Sequence, residues 1–348
     1  MEAIADHFCR SQDDGKDDGL GSYHLIEGWS ASYPETTGYI IPTLFALSDH
    51  LQRHDLSHRA IRAANWLLSI QHEEGGWQGG RVNEARPSVA FNTAQVIRGM
   101  MAAHDRTADP KYLDAAVRAS DWIVSVQEVN GSWVKHNFLQ TARVYDSYVS
   151  APLLRMFSIT RDQRYRNAAI RNLDWALSRQ LPNGWFTDAD NTIKHNKRPI
   201  THTIAYTLDG LLECHELSGD NRYLISARTA ADVLLERSLA KNEFKGRFDR
   251  NWNGSESPIT TGIAQLTIVW QKLHKITSDP KYALAANRSI KWLKAVQAMS
   301  FKGPIDAKGA ITGSFPLWGR YEKFACPNWA QKYFADALLC ANGQFPKY

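Results

Sequence analysis

Apolar residues recur every three to four positions along the chain, in two kinds of segment that alternate. Segments of the first kind are amphipathic, and most of them open on a turn signal such as DPKYLDAA or DQRYRNAA. Segments of the second kind are apolar nearly all round, as in THTIAYTLDGLLECHEL. Because an amphipathic helix lies at a surface and a helix that is apolar on every side is buried, the pattern predicts outer helices that alternate with inner ones.

A repeated motif marks the amphipathic segments: Trp, then Gln five residues later, then Gly with an aromatic residue. Clear copies are NWLLSIQHEEGGW, DWIVSVQEVNGSW and DWALSRQLPNGWF, with a further copy at KWLKAVQAMSFKG. ADVLLERSLAKNEFKG and DHFCRSQDDG are degenerate copies, so the motif occurs six times at spacings of 53 to 59 residues. We interpret the motif as framework, with Trp packed between helices and Gln bonded to loop backbone.

Six segments of each kind predict an all-α (α/α)6 toroid, a closed ring of six helical hairpins that uses residues 1–348 as a single domain. The first segment is an outer helix and the last an inner one, so the N-terminal helix is predicted to pair with the C-terminal helix. Turns of about five residues follow the inner helices, and loops of about 15 to 30 residues follow the outer ones. The long loops and the N-terminal ends of the inner helices are therefore predicted to share one face.

Composition excludes several classes of protein. The net charge is +5, but Lys and Arg are scattered, and nucleic-acid binding requires a clustered basic surface. No apolar run is long enough to span a membrane and no signal peptide opens the chain, so the expected location is the cytoplasm. Cys9, Cys214, Cys326 and Cys340 are widely spaced, which predicts reduced cysteines with neither a zinc site nor disulfides. No metal or cofactor is expected, and the oligomeric state stays open.

The predicted cleft combines polar and aromatic side chains in numbers that an apolar core does not need. The chain has 12 Trp, several of them in Gly-rich loops, and indole faces suit stacking on sugar rings or isoprenoid chains. The candidates for substrate binding lie at inner-helix starts and in the long loops. They are Trp29, Tyr33, Tyr39, Arg86, Asn92, Arg143, Asp188, Arg198, Asp249, Trp252, Gln265, Trp318, Arg320, Asn328 and Trp329.

Two chemistries fit these residues. Glycoside hydrolysis needs two carboxyl groups, and Glu35 is the leading candidate because YPETTG places it at an inner-helix start among aromatic residues. Asp146, Asp188 and Asp249 compete to be its partner. The alternative for Glu35 is a role in helix capping.

The second chemistry is abstraction of the C5 proton of a uronic acid, as in a polysaccharide lyase or a C5-epimerase. It needs a base, an acid and a cation that neutralises the sugar carboxylate. His202 and Tyr206 are four residues apart and share one helix face, with Arg198 just upstream. Neither chemistry requires a metal.

The repeats, SIQHEEGGW above all, resemble the repeat of the squalene cyclase and prenyltransferase superfamily of α/α toroids. The segments YPETTGYIIPTL, GSFPLWGRY and PNWAQKYFADALL are similar to a bacterial toroid family named for that repeat. The resemblance implies the toroid fold and an association with polysaccharide biosynthesis. It does not extend to the Asp-x-Asp-Asp motif of terpene cyclases, since DDGKDD and DAD differ from it, nor to the zinc ligands of prenyltransferases.

The leading hypothesis is a carbohydrate-active enzyme that acts on a polysaccharide, an oligosaccharide or a glycan precursor. Its catalytic candidates are Glu35, His202, Tyr206 and Asp146. One alternative is an isoprenoid-binding or terpene-cyclase-like enzyme, whose pocket would carry fewer charges. A further alternative is a non-catalytic glycan-binding protein, which would keep its affinity without Glu35 and His202.

Overall fold

Twelve α-helices account for most of the computed structural model, which describes residues 1–194, 197–241 and 244–346. Six of them are apolar and largely buried. They are α2 (Pro34–Leu51), α4 (Ala90–Thr107), α6 (Ser147–Thr160), α8 (Thr201–Ser218), α10 (Thr260–Thr277) and α12 (Asn328–Ala341). The amphipathic six are α1 (Glu2–Asp14), α3 (His54–Ser69), α5 (Pro110–Ser125), α7 (Gln163–Leu177), α9 (Asn221–Lys241) and α11 (Pro280–Ser300). The two kinds alternate along the chain, as the sequence predicts.

Five strands of two residues each lie in the long loops of the described part of the chain. An antiparallel sheet joins β1 (Tyr23–His24), β2 (Gly28–Trp29) and β5 (Ala325–Cys326), with β1 in the centre. A hairpin pairs β3 (Arg247–Phe248) with β4 (Gly254–Ser255). Single turns of 3-10 helix occur at Phe138–Gln140, Val144–Asp146 and Ile305–Ala307.

The chain divides into two compact units. The first comprises Met1–Trp122 and Lys291–Tyr348, and the second comprises Ile123–Ile290. In the first unit α2 packs against α3, α4 and α12, and α1 packs against α12, so the first and last helices of the chain pair as predicted. In the second unit α8 packs against α6, α9 and α10.

Glycines let the apolar helices approach closely. A Cβ atom on Gly38 would lie 2.6 Å from the Cα of Val96, so α2 and α4 meet almost backbone to backbone. A Cβ atom on Gly262 would lie 2.8 Å from the backbone N of His202, which brings the start of α10 against the start of α8. Each contact excludes a larger residue because packed backbone has no room to move.

The repeated Gln side chains are structural. Gln71 Nε2 donates to the carbonyls of Gly75 at 2.8 Å and of Ala115 at 3.0 Å, and thus ties its own loop to the next amphipathic helix. Gln127 makes the same pair of bonds, to Gly131 and Ala168, both at 2.9 Å. The framework interpretation of the motif is confirmed at these positions.

The turns after the apolar helices are tighter than expected. Two residues separate each of the first five apolar helices from the next amphipathic helix, where the sequence suggested about five. The first residue of each turn is left-handed, as in Ala108 with φ 58°, and its backbone N–H donates to the helix carbonyl four residues earlier. A helix that ends in an αL residue reverses the direction of the chain within two residues, so a longer turn is not required.

Candidate functional site

Glu35 lies in the first turn of α2, where the sequence starts the helix with proline. Pro34 occupies the first helical position, where a backbone N–H would have no partner within the helix, so proline loses nothing there. The positive end of the helix dipole stabilises the Glu35 carboxylate in the same turn. Tyr33 precedes the helix in an extended conformation and its side chain makes no capping bond. The Glu35 carboxyl instead accepts a hydrogen bond from another helix, so it is not the arm of a capping box.

That partner is Asn92, in the first turn of α4. Its Nδ2 donates to Glu35 Oε2 at 2.8 Å and to the Tyr33 hydroxyl at 3.1 Å. Only 8% of Glu35 and 5% of Asn92 is exposed. Burial raises the pKa of Glu35 to about 7, and a hydrogen bond with Tyr33 opposes that rise. The carboxyl is therefore divided between its acid and its anion at neutral pH.

An aromatic wall stands beside this carboxyl. Trp329, in the first turn of α12, meets the Tyr33 ring edge-on with centroids 6.4 Å apart. Its Nε1 donates to the Tyr321 hydroxyl at 2.9 Å. Burial raises the pKa of Tyr321 well above its ordinary value, and the negative charges of Glu322 and Glu35 add to the rise. We call Tyr33, Glu35, Asn92, Tyr321 and Trp329 the Glu35 site.

Glu322 was not among the predicted site residues. Burial raises its pKa, while the positive charges of Arg81 and His24 oppose the rise. The sequence around it, GRYEKF, resembles an ordinary charged loop, and only the fold shows that Glu322 is partly buried and that Arg81 and His24 act on it.

Three more predicted residues of the first unit are packed into the framework. Tyr39 is 1% exposed and contacts the Tyr333 ring at 5.6 Å. Asn328 Nδ2 donates to the Leu20 carbonyl at 3.0 Å and to Thr36 Oγ1 at 2.9 Å, which ties a long loop to two helix starts. Trp29 packs its ring 5.1 Å from that of Tyr23.

The other predicted residues of this unit are exposed. Arg86 pairs with Glu84 at 2.5 Å, Trp318 is 64% exposed, and Arg320 is also exposed. All three therefore lie at the protein surface, and their role in substrate binding stays a prediction.

A second polar cluster surrounds Asp146 in the other unit. The 3-10 turn Val144–Asp146 leads directly into α6, and the carboxyl is fully buried. Asn137 Nδ2 donates to Asp146 Oδ2 at 2.7 Å, while Oδ1 has no hydrogen-bond partner among the described residues. Burial raises the pKa of Asp146 well above its ordinary value, and the charge of Arg143 opposes the rise.

His202 lies in the first turn of α8, the helix that packs against the turn Val144–Asp146. Its Nδ1 lies 2.5 Å from Gln265 Oε1, so Nδ1–H donates to the amide oxygen. Burial lowers the pKa of His202 to about 4, which leaves the ring neutral at neutral pH. The ring lies 4.5 Å from that of Tyr206, and the Tyr206 ring lies 5.0 Å from that of Tyr148. We call Arg143, Asp146, His202, Tyr206 and Gln265 the Asp146 site.

The predicted loop residues of the second unit lie mostly in turns. Asp249 accepts hydrogen bonds from the backbone N–H groups of Asn251 and Asn253, which lower its pKa together with the Asn253 side chain. Trp252 is 3% exposed and its Nε1 donates to the Asn183 carbonyl at 2.9 Å.

The remaining two lie beside the loop that leads into α8. Asp188 has a left-handed backbone, and its carbonyl accepts from Val144 N at 3.2 Å. Arg198 is exposed, and its carbonyl accepts from Arg247 Nη1 at 2.8 Å. Arg247 also pairs at 3.0 Å with the buried Asp190, which holds this loop in place.

Within the described ranges, no group of three or more His, Cys, Asp or Glu side chains could hold a metal ion. Nor does any helix in that part of the chain have the length and apolar character to cross a bilayer.

Comparison with protein families gives a match to a glycosidase. The model of the β-L-arabinofuranosidase, GH127 catalytic domain matches residues 35–240, more than half of the chain. Among curated proteins, the squalene–hopene cyclase of Bradyrhizobium diazoefficiens is 32% identical over 97 residues, 26% of this chain and 14% of the cyclase. That of Zymomonas mobilis is 26% identical over 213 residues, 58% of this chain. The chain matches only 26% of the length of this second cyclase.

Solved structures share the fold over nearly the whole chain. An unsaturated glucuronyl hydrolase specific for heparin has a TM-score of 0.78 and 14% identity, and covers 98% of this chain and 95% of its own. Cellobiose 2-epimerase from Bacillus thermoamylovorans has a TM-score of 0.76 and 11% identity, with 97% and 96% covered.

These findings confirm two predictions and leave a third only partly supported. The all-α toroid class is confirmed by the shared fold, and the carbohydrate-active class of enzyme is confirmed by the family match. The resemblance to squalene cyclases is supported by weak similarity alone. The family that matches is a glycosidase family, in place of the repeat-named family that the sequence suggested.

Proposed function

Because the chain belongs to the β-L-arabinofuranosidase GH127 catalytic-domain family, we propose that it is a glycoside hydrolase in which Glu35 protonates the leaving oxygen. The buried Glu35 carboxyl, held by Asn92 at 2.8 Å, is the observation that carries the proposal. With a pKa of about 7, a substantial fraction of this carboxyl is protonated at neutral pH. A general acid requires that state, and a pKa close to the working pH makes the proton transfer efficient.

Hydrolysis also needs a second carboxyl group, as nucleophile or as the base that activates water. We assign this role to Glu322, whose charge acts on the same Tyr321 hydroxyl as that of Glu35. Burial raises the pKa of Glu322, and the positive charges of Arg81 and His24 offset part of that rise in favour of the ionised form that either role demands. Asp146, which the sequence suggested for the role, belongs to the second polar cluster, where it accepts from Asn137.

The aromatic wall indicates how a glycan is held. Trp329 and Tyr33 present an edge-on pair beside the carboxyl, and rings of this kind stack on the apolar faces of sugars. The bond from Trp329 Nε1 to Tyr321 fixes the indole plane. The substrate is therefore a polysaccharide, an oligosaccharide or a glycan precursor. The cytoplasmic location and the absence of a nucleic-acid partner stay predictions from the sequence.

The test is hydrolysis of aryl glycosides by wild type, Glu35→Gln and Glu322→Gln. The panel includes β-L-arabinofuranosides, the substrate class of the family, and unsaturated glucuronides, the class of the fold relative. Glu35→Gln should lose about 10²- to 10⁴-fold on poor leaving groups. It should lose far less on dinitrophenyl glycosides, whose departure needs no proton. Glu322→Gln should fail on both, with partial rescue by azide.

Glu73→Gln is the matched control, because it changes an exposed glutamate of the same unit. Full activity of Glu35→Gln on a poor leaving group would contradict the acid assignment. Equal losses on both kinds of leaving group would contradict it as well.

Proton abstraction at C5 of a uronic acid is the second candidate. The bond from His202 Nδ1 to Gln265 leaves Nε2 as the basic nitrogen, in ring contact with Tyr206 as a proton donor. A base with a pKa of about 4 binds protons weakly, which places this candidate second. Deuterium uptake from solvent, lost in His202→Ala and kept in Glu35→Gln, would reverse the order. Isoprenoid-binding and non-catalytic readings predict no product from any sugar.

A further inference from the structure

Several buried side chains of the second unit carry hydrogen-bonding atoms that have no partner among the described residues. Among them are Arg143 Nε, Asp146 Oδ1, Thr261 Oγ1 and Gln265 Nε2, in residues that are at most 1% exposed. Native proteins satisfy nearly all buried polar groups, so four such atoms in one unit call for a bound polar molecule. Thr261 and Gln265 are four residues apart on α10 and share one face of that helix.

These atoms belong to one neighbourhood, which ring contacts connect. Gln265 contacts His202 at 2.5 Å, and the His202 ring lies 4.5 Å from that of Tyr206. Tyr206 in turn lies 5.0 Å from Tyr148, which is two residues beyond Asp146. Three tyrosines line this path, because Tyr145 also lies within 6.4 Å of Tyr206.

The neighbourhood contains a buried cation, Arg143. Arg143 is 1% exposed, and the one hydrogen bond that the described residues give its guanidinium is from Nη2 to the Ile193 carbonyl at 3.1 Å. A buried guanidinium needs a counter-charge, and the nearby Asp146 is held towards its neutral form by burial. The starts of α6, α8 and α10 add the positive ends of three helices.

We infer that the Asp146 site binds the carboxylate-bearing ring of a uronic acid, with Arg143 and Gln265 donating to the carboxylate. Asp146 Oδ1 bonds to a ring hydroxyl, and Thr261 Oγ1 bonds to a further sugar oxygen. The tyrosines supply the faces against which the sugar ring packs. The choice of a sugar as the carrier of the carboxylate rests on the proposed function, whereas the anion preference rests on Arg143.

The test measures binding in the Glu35→Gln variant, in which no hydrolysis interferes. D-glucuronate and D-glucose, which differ only in the carboxylate at C6, are titrated by ligand-observed NMR. The expected Kd for glucuronate is about tenfold lower than that for glucose, as a charge-assisted bond implies. Arg143→Met should remove this preference. Arg179→Met, which removes an exposed arginine of the same unit, should retain it.

Equal affinity for the two sugars would overturn the inference, as would a preference that survives Arg143→Met. Should Arg143→Met fail to fold, Thr261→Val decides the matter, because Thr261 Oγ1 bonds to nothing in the described structure and its loss costs no internal hydrogen bond. An about threefold weaker glucuronate affinity in Thr261→Val supports the site, and an unchanged affinity refutes it. Uronate binding without any hydrolysis would leave this inference standing while the proposed function fails.

Discussion

Replacing Glu35 by Gln should stabilise the protein at alkaline pH while it removes activity. The wild-type carboxyl is buried, so its ionisation costs more free energy in the folded state than in the unfolded chain, where water solvates the carboxylate. Glutamine has nearly the same shape and keeps an oxygen that can accept from Asn92 at the place of Glu35 Oε2. It carries no charge, so its burial does not become more costly as the pH rises.

The magnitude follows from the pKa. Burial raises that of Glu35 from 4.5 to about 7. A folded-state pKa above the unfolded one means that the folded protein binds the proton more tightly, so stability is lost as the pH rises through this window. At 1.36 kcal/mol per pKa unit, the ionisation of Glu35 lowers the free energy of unfolding by about 3.4 kcal/mol in all. Of this, about 2.5 kcal/mol falls between pH 5 and pH 8.

Urea unfolding at pH 5 and pH 8 measures the effect. The free energy of unfolding of Glu35→Gln, relative to wild type, should rise by about 2.5 kcal/mol between the two pH values. For Glu73→Gln, at an exposed position of the same unit, the difference should stay within about 0.5 kcal/mol. A gap that changes by less than about 1 kcal/mol for Glu35→Gln would refute the claim that burial holds this carboxyl near pH 7.

Three further outcomes are expected. Activity of wild type, as kcat/KM, should fall above about pH 7 as Glu35 loses its proton. The bond with Tyr33 lowers that pKa, so Tyr33→Phe should move the fall to higher pH, and an unmoved profile would contradict the contact. Gln127→Leu should cost about 2 kcal/mol in urea unfolding, because two backbone carbonyls lose their donor. Gly262→Ala should cost about 1–3 kcal/mol, since its Cβ would lie 2.8 Å from His202 N, and an unchanged midpoint would contradict that close approach.

The helices could be predicted because their signals are local. The amphipathic and apolar periods follow from which face each helix buries, and the repeat marks where each amphipathic helix ends. Gln71 and Gln127 take the same roles in different hairpins, so one interpretation served both. The turn lengths were overestimated because αL residues such as Ala108 and Ser278 are not glycines and give no signal in the sequence.

The site could be predicted only where a helix start placed it. Glu35, Asn92 and Trp329 each lie in a first turn, and helical position alone brought them together. Loop residues have no comparable periodic pattern from which their positions could be predicted. The N–H of Trp252 bonds to the carbonyl of Asn183, 69 residues away, and Glu322 is partly buried near Arg81 and His24 by a loop conformation that no periodicity encodes.

The division between framework and site explains why function collects at the starts of the apolar helices. Gln71 and Gln127 satisfy loop carbonyls at the ends of amphipathic helices, and residues at apolar-helix starts, such as Thr93 and Asn328, add further bonds to the loops. Residues at or near the starts of apolar helices also carry polar atoms that have no hydrogen-bond partner among the described residues, such as Thr261 Oγ1 in the first turn of α10. Asp146 Oδ1 and Gln265 Nε2 have no partner within the described part of the chain, while the equally buried Gln331 Nε2 donates to the Ile311 and Pro327 carbonyls at 2.7 and 3.0 Å. A buried amide is thus satisfied where it serves the framework and left open where a ligand is expected to complete it.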